Sequence, residues 1–404
     1  MIPKNIPRTV WVLGFVSLWM DVSSEMVHSL LPLFLVTVLG ASAMRVGFIE
    51  GIAEGTAMIV KMFSGAISDR MRNRKGLVLF GYALGAATKP FFALATSTHM
   101  VMAARFVDRI GKGIRGAPRD ALIAEVTPPE IRGAAFGLRQ SLDTVGALLG
   151  PLLAIILMKI LKGDYRTVFW IALIPGSFAV LLLAVFVKEP NRTVGEYSTG
   201  KEDKPKTLLT PIDWSALKNF ELRFWLVVGF GALLALARFS EAFLILRGQS
   251  AGMLPETAPI LMVVMNLVYV FTAYPVGYFS DRIGRGGLLA AGIAVLLLSD
   301  GVLAFAHKPW QAAMGSALWG LQMGLTQGVF SAMVADSAPA ALRGTAFGLF
   351  NLAGGTAAVL SSIVAGFAWT RFGAATTFQA GAGFAAAALV LYALTLKGQF
   401  AKAT

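Results

Sequence analysis

Three ionisable residues near the start of the chain have the spacing of one helical face. Asp21, Glu25 and His28 are four and then three positions apart, and an α-helix turns about every 3.6 residues. They interrupt an apolar run, where charged side chains are costly and usually mark a solute pathway or a proton relay. Burial raises the pKa of a carboxyl group, and a nearby arginine lowers it. A carboxyl group under both influences is suited to gaining and losing a proton, so Asp21 and Glu25 are predicted to carry a coupling proton. A single histidine such as His28 is more typical of packing.

A later apolar run is unusually basic. Its charged residues fall largely on one helical face and are Arg105, Asp108, Arg109, Lys112, Arg115 and Arg119. That many unpaired cations are not tenable in a low-dielectric medium. Either they form internal ion pairs, with Glu50 and Glu54 among the partners, or one or two arginines are free to hold an anionic or carboxylate-bearing substrate. Both interpretations stay open, and arginine suits the second because its planar fork binds a carboxylate through two hydrogen bonds.

Substrate-binding residues are predicted in both halves of the chain. The first half contributes the basic run, whereas the apolar runs of the second half have fewer ionisable groups and more neutral polar ones. The predicted substrate-binding residues are Asp108, Arg109, Lys112, Arg238, Glu241, Gln322 and Asn351.

The elements that position these residues are predicted to be membrane-spanning helices. Of the 404 residues, 56% are hydrophobic and 14% charged, with a mean hydropathy of +0.70. A soluble domain has about a quarter charged residues, so this surface is expected to face lipid. The apolar runs have the length of a bilayer crossing, about 20 residues, and helices leave no backbone group unpaired in lipid. The twelve predicted spans are 9–39, 43–67, 75–96, 99–125, 133–160, 166–187, 221–249, 256–279, 287–306, 309–335, 344–370 and 374–396.

Basic loops predict the orientation of the chain. They fall before the first span, between the second and third, in the polar stretch 188–220, between the eighth and ninth, and after the last. The positive-inside rule places all of these, with both termini, on the cytoplasmic side of the inner membrane. Loops beside anionic lipid also account for the net charge of +13 without a nucleic-acid partner. The stretch 188–220 is polar and proline-interrupted, which predicts a cytoplasmic linker between six-helix bundles at 1–187 and 221–404.

Two sequence patterns occur once in each half. Residues 124–138 read AEVTPPEIRGAAFGL and residues 335–349 read ADSAPAALRGTAFGL. Residues 65–70 read GAISDR and residues 277–282 read GYFSDR. These matches keep almost the same offset, which indicates a duplicated unit. An even number of helices in each unit makes the repeats parallel, related by an axis along the membrane normal.

The second repeated pattern resembles a family signature. The stretch 277–285 is similar to G-x-x-x-D-R-x-G-R-R, the loop signature of the major facilitator superfamily, and the stretch 65–74 keeps most of it. A glycine there lets two helices approach closely, and an aspartate at a helix end can accept bonds from a facing helix N-terminus. We therefore predict a cytoplasmic gate whose residues are Gly65, Asp69, Arg70, Arg74, Asp120, Gly277, Asp281 and Arg282.

A second signature lies in the basic run. Residues 105–113 resemble R-x-x-x-G-x-G-x-G of the same superfamily, with Arg109 in place of the first glycine. This departure makes Arg109 the residue most expected to contact an anion. The resemblance covers essentially the whole chain and implies a twelve-helix fold of two bundles that alternate access to a site between them. It also implies that Arg105 takes part in proton coupling, as in exporters of this superfamily.

The sequence predicts a proton-coupled secondary transporter, more typical of an exporter than of an importer. It contains no P-loop, metalloprotease motif or glycine-rich turn after a strand, so an enzyme is not expected and no cofactor is predicted. The expected partners are a small-molecule substrate, protons and the lipid bilayer, with the chain as a monomer. Two alternatives stay open. One is a divalent-metal exporter that uses Asp21, Glu25 and His28 as ligands, and the other is a receptor that transports nothing.

Overall fold

The computed structural model describes residues 6–70, 73–189, 217, 220–283, 285–339 and 342–396. These residues form α-helices joined by short connections, and no strand occurs among them. The helices are α1 (Arg8–His28), α2 (Leu31–Leu33), α3 (Ala43–Arg70), α4 (Arg74–Ala87), α5 (Lys89–Leu94), α6 (Thr98–Val126), α7 (Arg132–Ile160), α8 (Tyr165–Phe186), α9 (Leu222–Ala237), α10 (Ala242–Ser250), α11 (Ile260–Ile283), α12 (Arg285–Ala304), α13 (Pro309–Ser337), α14 (Arg343–Phe372) and α15 (Ala374–Leu391).

Each predicted span corresponds to one helix or to a broken helix. Eight of these segments are long and apolar enough to cross a bilayer. The other four are α3, α6, α11 and α13, so twelve crossings remain a prediction. Helices α3 and α6 hold most of the ionisable residues singled out from the sequence, and this charge lowers their hydropathy. The all-helical fold class is as predicted, whereas nearly all of the proposed linker 188–220 lies outside the described residues.

Three helices that the sequence predicted as continuous are broken inside the protein. The first is interrupted between α1, which ends at His28, and α2, which begins at Leu31. Helix α4 ends before Thr88, and Pro90 at the start of α5 has no N–H to continue the helical ladder. Helix α9 ends at Ala237 and α10 begins at Ala242. The chain between them is not helical, and the Ser240 N–H donates to the Ser362 hydroxyl at 3.2 Å. Irregular backbone at this depth is tolerated where it is buried in protein or lines a cavity.

The helices pack in two groups with matching pairs. In the first half α1 packs on α7, and α6 packs on both α3 and α4. In the second half α9 packs on α14, and α13 packs on both α11 and α12. The repeated contacts agree with the duplicated sequence patterns. The halves meet along α3 against α14 and along α7 against α11.

Glycines allow the closest contact between the halves. A Cβ atom at Gly47 of α3 would lie 2.2 Å from the Ser362 carbonyl oxygen of α14, and one at Gly51 would lie 2.9 Å from the Val359 carbonyl oxygen. From the other side, a Cβ atom at Gly366 would lie 2.7 Å from the Ala43 carbonyl oxygen. We call this contact the α3–α14 seal. It joins the first half of α3 to the second half of α14 across the interface between the halves.

The helix signature in 105–113 has a packing role as well. A Cβ atom at Gly111 would lie 2.7 Å from the Gly81 carbonyl oxygen of α4, and one at Gly113 would lie 2.6 Å from the Val60 side chain of α3. These two glycines therefore allow α6 to pack closely on both neighbours. At Gly65 a Cβ atom would meet Ala117 at 3.4 Å, an ordinary contact, so the glycine there is not required by packing.

Candidate substrate cavity

A cavity of about 550 Å³ lies between the two halves. Helices α1, α3 and α6 line it from the first half. The end of α9, the break that follows it, α13 and α14 line it from the second half. A volume of this size accommodates a small organic molecule.

The first-half wall of the cavity is charged. It presents Glu25, His28, Glu54, Arg109 and Lys112. The sequence spacing places the first two on one face of α1 and the last two on one face of α6, and the fold brings both faces together with α3.

The second-half wall is largely aromatic. Phe239, Trp319, Phe330 and Phe350 line it. The rings of Phe239 and Trp319 have centroids 5.3 Å apart, and those of Phe330 and Phe350 are 5.9 Å apart. Such rings provide an apolar surface for the flat part of a ligand. Polar groups interrupt this wall at Arg238, Glu241, Gln327 and Asn351.

A chain of charged contacts leads from the cavity into the first half. The His28 ring lies between two carboxylates, with its Nδ1 atom 3.3 Å from Glu25 Oε2 and its Nε2 atom 3.4 Å from Glu50 Oε2. Glu50 also accepts a hydrogen bond of 2.8 Å from the Arg105 guanidinium. Because His28 contacts both carboxylates and Glu25 faces the cavity, a proton could be held or passed at this point.

The chain of contacts continues around Asp108. The Lys89 ammonium lies 3.0 Å from Asp108 Oδ1, and the Arg105 and Arg109 guanidinium groups lie 3.8 Å and 3.7 Å from Asp108 Oδ2. Arg109 also lies 3.2 Å from Glu54 Oε1. Burying an ion pair is favourable only with good geometry and further hydrogen bonds, so these groups stabilise the protein as a connected network rather than pair by pair.

A separate ion-pair network lies farther along α6. Arg119 contacts Asp120 at 3.3 Å, and its guanidinium donates to the Ser17 hydroxyl at 2.7 Å. Arg139 of α7 forms an ion pair with Asp143 and lies 3.8 Å from Asp120. Arg119 lies 4.0 Å from Asp143, so this network joins α1, α6 and α7.

A third set of contacts lies at the ends of α4 and α6. The Arg74 guanidinium lies 3.1 Å from Glu125 Oε2. The backbone N–H groups of Arg74 and Lys75 donate to the Glu189 carboxylate at 2.9 Å and 2.7 Å. The first-turn amides of α4 thus bind an acidic side chain, as helix N-termini favour.

Six residues predicted from the sequence to couple protons or bind substrate line the cavity. They are Glu25, Arg109, Lys112, Arg238, Glu241 and Asn351. Arg105 and Asp108 are buried behind the charged wall. Asp21 lies against α7 and does not line the cavity. A Cβ atom added at Gly146 of α7 would lie 2.9 Å from the Asp21 Cβ atom. Gln322 is fully buried and donates to the Thr326 hydroxyl at 3.0 Å, away from the cavity. The functional roles of these residues remain predictions.

The predicted gate falls partly outside the described side chains. Gly65, Arg74 and Asp120 are described above, and Asp120 pairs with Arg119 and Arg139 rather than with Arg74. The side chains of Asp69, Arg70, Asp281 and Arg282, and the surroundings of Gly277, lie outside the described part of the structure.

Sequence reasoning missed several residues of this region. His28 was interpreted as a packing residue, yet it bridges Glu25 and Glu50. Spacing on α1 and α3 separately could have suggested this contact only if the packing of the two helices had been known. The aromatic wall was missed because Phe and Trp are also common on lipid-facing surfaces, and the sequence does not separate the two environments.

Three charged residues of the cavity have no ion-pair partner within 4 Å in the described part of the chain. They are Lys112 on the charged wall and Arg238 and Glu241 on the aromatic wall. Lys112 is exposed to the cavity, and the Nε atom of Arg238 is buried without a hydrogen-bond partner among the described residues. The cavity therefore offers two unpaired cations and one unpaired carboxyl group to a ligand.

Comparisons with known proteins agree with this architecture. The family model of the Major Facilitator Superfamily matches residues 13–253 and 242–402. An uncharacterized MFS-type transporter of Methanocaldococcus jannaschii is 31% identical over 375 residues, which cover 91% of this chain and 89% of that protein. The chain belongs to the Major Facilitator Superfamily and is an integral membrane transporter.

More distant proteins show the range of this fold. The quinolone resistance protein NorA of Staphylococcus aureus is 22% identical over 309 residues, which cover 75% of each chain. The crystal structure of the nucleoside transporter NupG superposes with a TM-score of 0.74 at 16% identity, covering 96% of this chain and 98% of that one. At this level of identity the second likeness shows the fold alone.

Proposed function

We propose that this protein is a proton-coupled secondary transporter that exports an aromatic compound carrying a carboxylate or another anionic group. The central observation is the cavity between the halves, with a charged wall facing an aromatic one. A flat apolar ligand packs on Phe239, Trp319, Phe330 and Phe350, and its anionic group meets the unpaired cations. The likeness to a quinolone resistance protein supports the export direction.

Lys112 and Arg238 are the cations best placed to hold the anionic group. Both line the cavity and neither has an ion-pair partner within 4 Å among the described residues. Arg109 also faces the cavity but is shared with Glu54 and Asp108. We propose that Arg109 orients the ligand while staying in its network. Glu241 gives the second wall an acidic group that suits a basic amine, so zwitterionic ligands fit the cavity as well.

Proton coupling is assigned to the charged wall. Glu25 faces the cavity and contacts His28, which in turn contacts Glu50. Arg105 contacts Glu50 from behind, so a change in the protonation of the Glu25–His28 pair alters the balance of the whole network. Asp21 lies farther from the cavity and has the smaller role in this scheme.

Transport follows by alternating access. In the described structure α3 and α14 are in close contact at the seal, and we propose that this contact closes one end of the molecule. We propose that bundles at 1–187 and 221–404 rock about the cavity, that this seal opens in the opposite state, and that the residues of the loop signatures then close the other end. On this scheme the protein acts as a monomer in the inner membrane, with both termini and the segment 188–220 in the cytoplasm.

A divalent-metal substrate is less well supported. Glu50 and Glu54 are already paired with arginines, and a metal ion would have to displace these cations. Within the described ranges, no three His, Cys, Asp or Glu side chains are arranged to hold a metal ion.

A binding experiment tests the proposed substrate class. Purified protein is heated in the presence of aromatic carboxylates, zwitterionic quinolones, and neutral and cationic compounds of matched size. We expect the first two groups to raise the melting temperature in a saturable way, and the effect to weaken in Lys112→Ala and Arg238→Ala. Stabilisation by neutral or cationic compounds only would contradict the proposed class.

A further inference from the structure

A buried acidic residue lies in the second half, outside the charged wall. Asp300 is on α12, one turn before the helix ends at Ala304, and it is 0% exposed. Neither of its carboxyl oxygens has a hydrogen-bond partner in the described part of the chain. The proposed transport mechanism does not use this residue.

Asp300 lies next to the aromatic wall of the cavity. A Cβ atom at Gly381 of α15 would lie 2.7 Å from Asp300 Oδ2 and 2.9 Å from the Phe239 ring. The carboxyl group therefore packs over the backbone of Gly381, beside Phe239. Phe239 also lines the cavity and contacts Trp319, whose own indole N–H is buried without a partner among the described residues.

Among the described side chains, the helices packed against α12 place no cation in contact with Asp300. Helix α15 contains no ionisable residue, and Asp336 near the far end of α13 is the only acidic or basic residue of that helix. On α12 itself the other charged residue is Arg285, at the opposite end. Helix α11 has Asp281 and Arg282 in its last turn and tyrosines elsewhere.

Two described arginines belong to the segment around the α9–α10 break, and neither forms an ion pair with Asp300. Arg247 of α10 donates to the carbonyl oxygens of Leu303 and Ala304 at 2.6 Å and 2.9 Å, so it caps the end of α12. Arg238 lies beside Phe239 in the α9–α10 break and lines the cavity, as does Glu241. No ion pair of Asp300 within 4 Å occurs among the described residues.

The neutral acid is the form that fits this site. An ionised carboxylate without a cation or hydrogen-bond donor would bear the full cost of removing a charge from water. A carboxylic acid in the same place has no net charge and a much smaller cost. An acid held neutral by its surroundings is a group whose proton can be released when those surroundings change.

We propose that Asp300 is a second proton-binding site, located in the C-terminal half, which exchanges its proton with the cavity past Phe239. Phe239 belongs to the non-helical stretch between α9 and α10, whose backbone is not fixed by helical hydrogen bonds. When this stretch moves, cavity water reaches Asp300. The O–H bond of the acid breaks, the proton passes to that water, and the resulting carboxylate pairs with Arg238.

This inference rests on the proposed proton coupling and adds a step to it. Protonation at the Glu25–His28 pair and at Asp300 would lie in opposite halves of the protein, on the two sides of the cavity. A proton bound at Asp300 favours the state described here, in which the carboxyl group is sealed from the cavity. Loss of that proton favours a state in which Asp300 meets Arg238.

Infrared spectroscopy tests the protonation state without any substrate. A protonated carboxylic acid has a carbonyl stretching band that carboxylates and amides lack. We expect the difference spectrum between wild type and Asp300→Asn at neutral pH to contain such a band, and the difference spectrum between wild type and Asp164→Asn, which changes an exposed loop residue, to lack it. Absence of the band from the first difference spectrum overturns the proposal.

Flux in proteoliposomes tests the role in coupling, with a fluorescent quinolone as the probe. We expect Asp300→Asn to reduce the accumulation driven by a pH gradient at least tenfold, and to retain substrate exchange when the pH is equal on both sides. Accumulation at the wild-type level in Asp300→Asn overturns the proposal but leaves proton coupling intact. No gradient-driven accumulation of the probe by the wild type contradicts the proposed function and, with it, the coupling role of Asp300.

Discussion

At the residue scale, Arg109 combines a structural contact with a place on the cavity wall. We expect Arg109→Lys to keep the charge beside Glu54 but to lose the planar fork, because an ammonium is a point charge. Loss of one charge-assisted hydrogen bond should raise the Kd of an aromatic carboxylate about tenfold. The measurement is ligand-dependent thermal stabilisation of the purified variant.

Arg105→Lys is the matched control for this prediction. Arg105 is buried, pairs with Glu50 at 2.8 Å and does not line the cavity. The same substitution there should leave ligand affinity close to that of the wild type. Equal losses of affinity in both variants would mean that Arg109 acts through the network and not by contact with the ligand.

Glu25 and Asp21 are expected to differ, although their spacing on α1 is that of one face. Glu25 lines the cavity and contacts His28, whereas Asp21 lies against α7. Glu25→Gln should reduce gradient-driven accumulation at least tenfold and spare exchange, because the amide cannot carry a proton. Asp21→Asn should have a much smaller effect in the same assay. A larger loss in Asp21→Asn would reverse this assignment.

The charged residues were found from the sequence, and ion pairing of the basic run with Glu50 and Glu54 was one of the two interpretations, but the individual pairs were not predicted. Apolar runs interrupted by Glu50, Glu54 and Arg109 indicate buried charge from one sequence alone. Which carboxylate meets which guanidinium depends on the rotation of α3 against α6, and that is fixed by contacts far apart in sequence. The isolation of Asp300 was not predicted for the same reason, since only packing shows that none of the described cations pairs with it.

At the element scale, the α3–α14 seal depends on the absence of side chains. Gly47→Ala would place a methyl group 2.2 Å from the Ser362 carbonyl oxygen, so the two helices must separate. We expect the closed end to open more often, and a cysteine introduced at Ala43 to react with a thiol reagent on the order of tenfold faster, a shift of about 1.4 kcal/mol. The chain contains no native cysteine, so labelling reports this site alone.

Gly383→Ala is the control for the seal. A Cβ atom at Gly383 of α15 would have no neighbour within 4 Å, so this variant should label like the protein with the Ala43 cysteine alone. Unchanged labelling in Gly47→Ala would show that the seal does not depend on the close approach of α3 and α14.

Helix α8 begins at an exposed acidic cap. The Asp164 carboxylate accepts hydrogen bonds from the Arg166 and Thr167 backbone N–H groups at 3.0 Å and 3.3 Å, and from the Thr167 hydroxyl. The hydroxyl bond from Thr167 is the main reason that the pKa of Asp164 is below its usual value. We expect Asp164→Ala to lower stability by about 1 kcal/mol, as the loss of an N-cap does.

The pH dependence of this effect has a definite sign. A lowered carboxyl pKa stabilises the folded state above the pKa of the unfolded chain, and this contribution is lost as pH falls through the folded-state value. The stability difference between wild type and Asp164→Ala should therefore be largest near neutral pH and shrink in acid. A difference that grows in acid would contradict the role of the ionised cap.

Helix positions were predicted well, whereas not every helix break has a signal in the local sequence. Each apolar run became a helix because lipid-length hydrophobicity is a property of the local sequence. The break at Thr88 had a local signal in Pro90. The break between α9 and α10 has none, because Arg238 to Glu241 contains neither proline nor glycine, and its backbone is held partly by Ser362 of a distant helix.

At the scale of the whole molecule, the duplicated sequence patterns predicted the duplicated helix contacts. The family could be inferred from the loop and helix signatures, and the family model covers both halves. The aromatic part of the proposed substrate could not be inferred from the sequence, because the aromatic wall is assembled from α13, α14 and the α9–α10 break. Its members have no common motif, and their shared surface exists only after these segments of the second half have packed together.

The central claim is that proton exchange drives an aromatic anion through this cavity. The direct test is uptake of a panel of aromatic carboxylates, including a quinolone, into proteoliposomes with an acidic lumen, compared with protein-free vesicles. For an antiporter, protons leave as substrate enters, so we predict accumulation that exceeds the protein-free level, collapses with a protonophore and fails in Glu25→Gln. No protein-dependent accumulation across the panel, or accumulation only when the outside is acidic, would contradict proton-driven export.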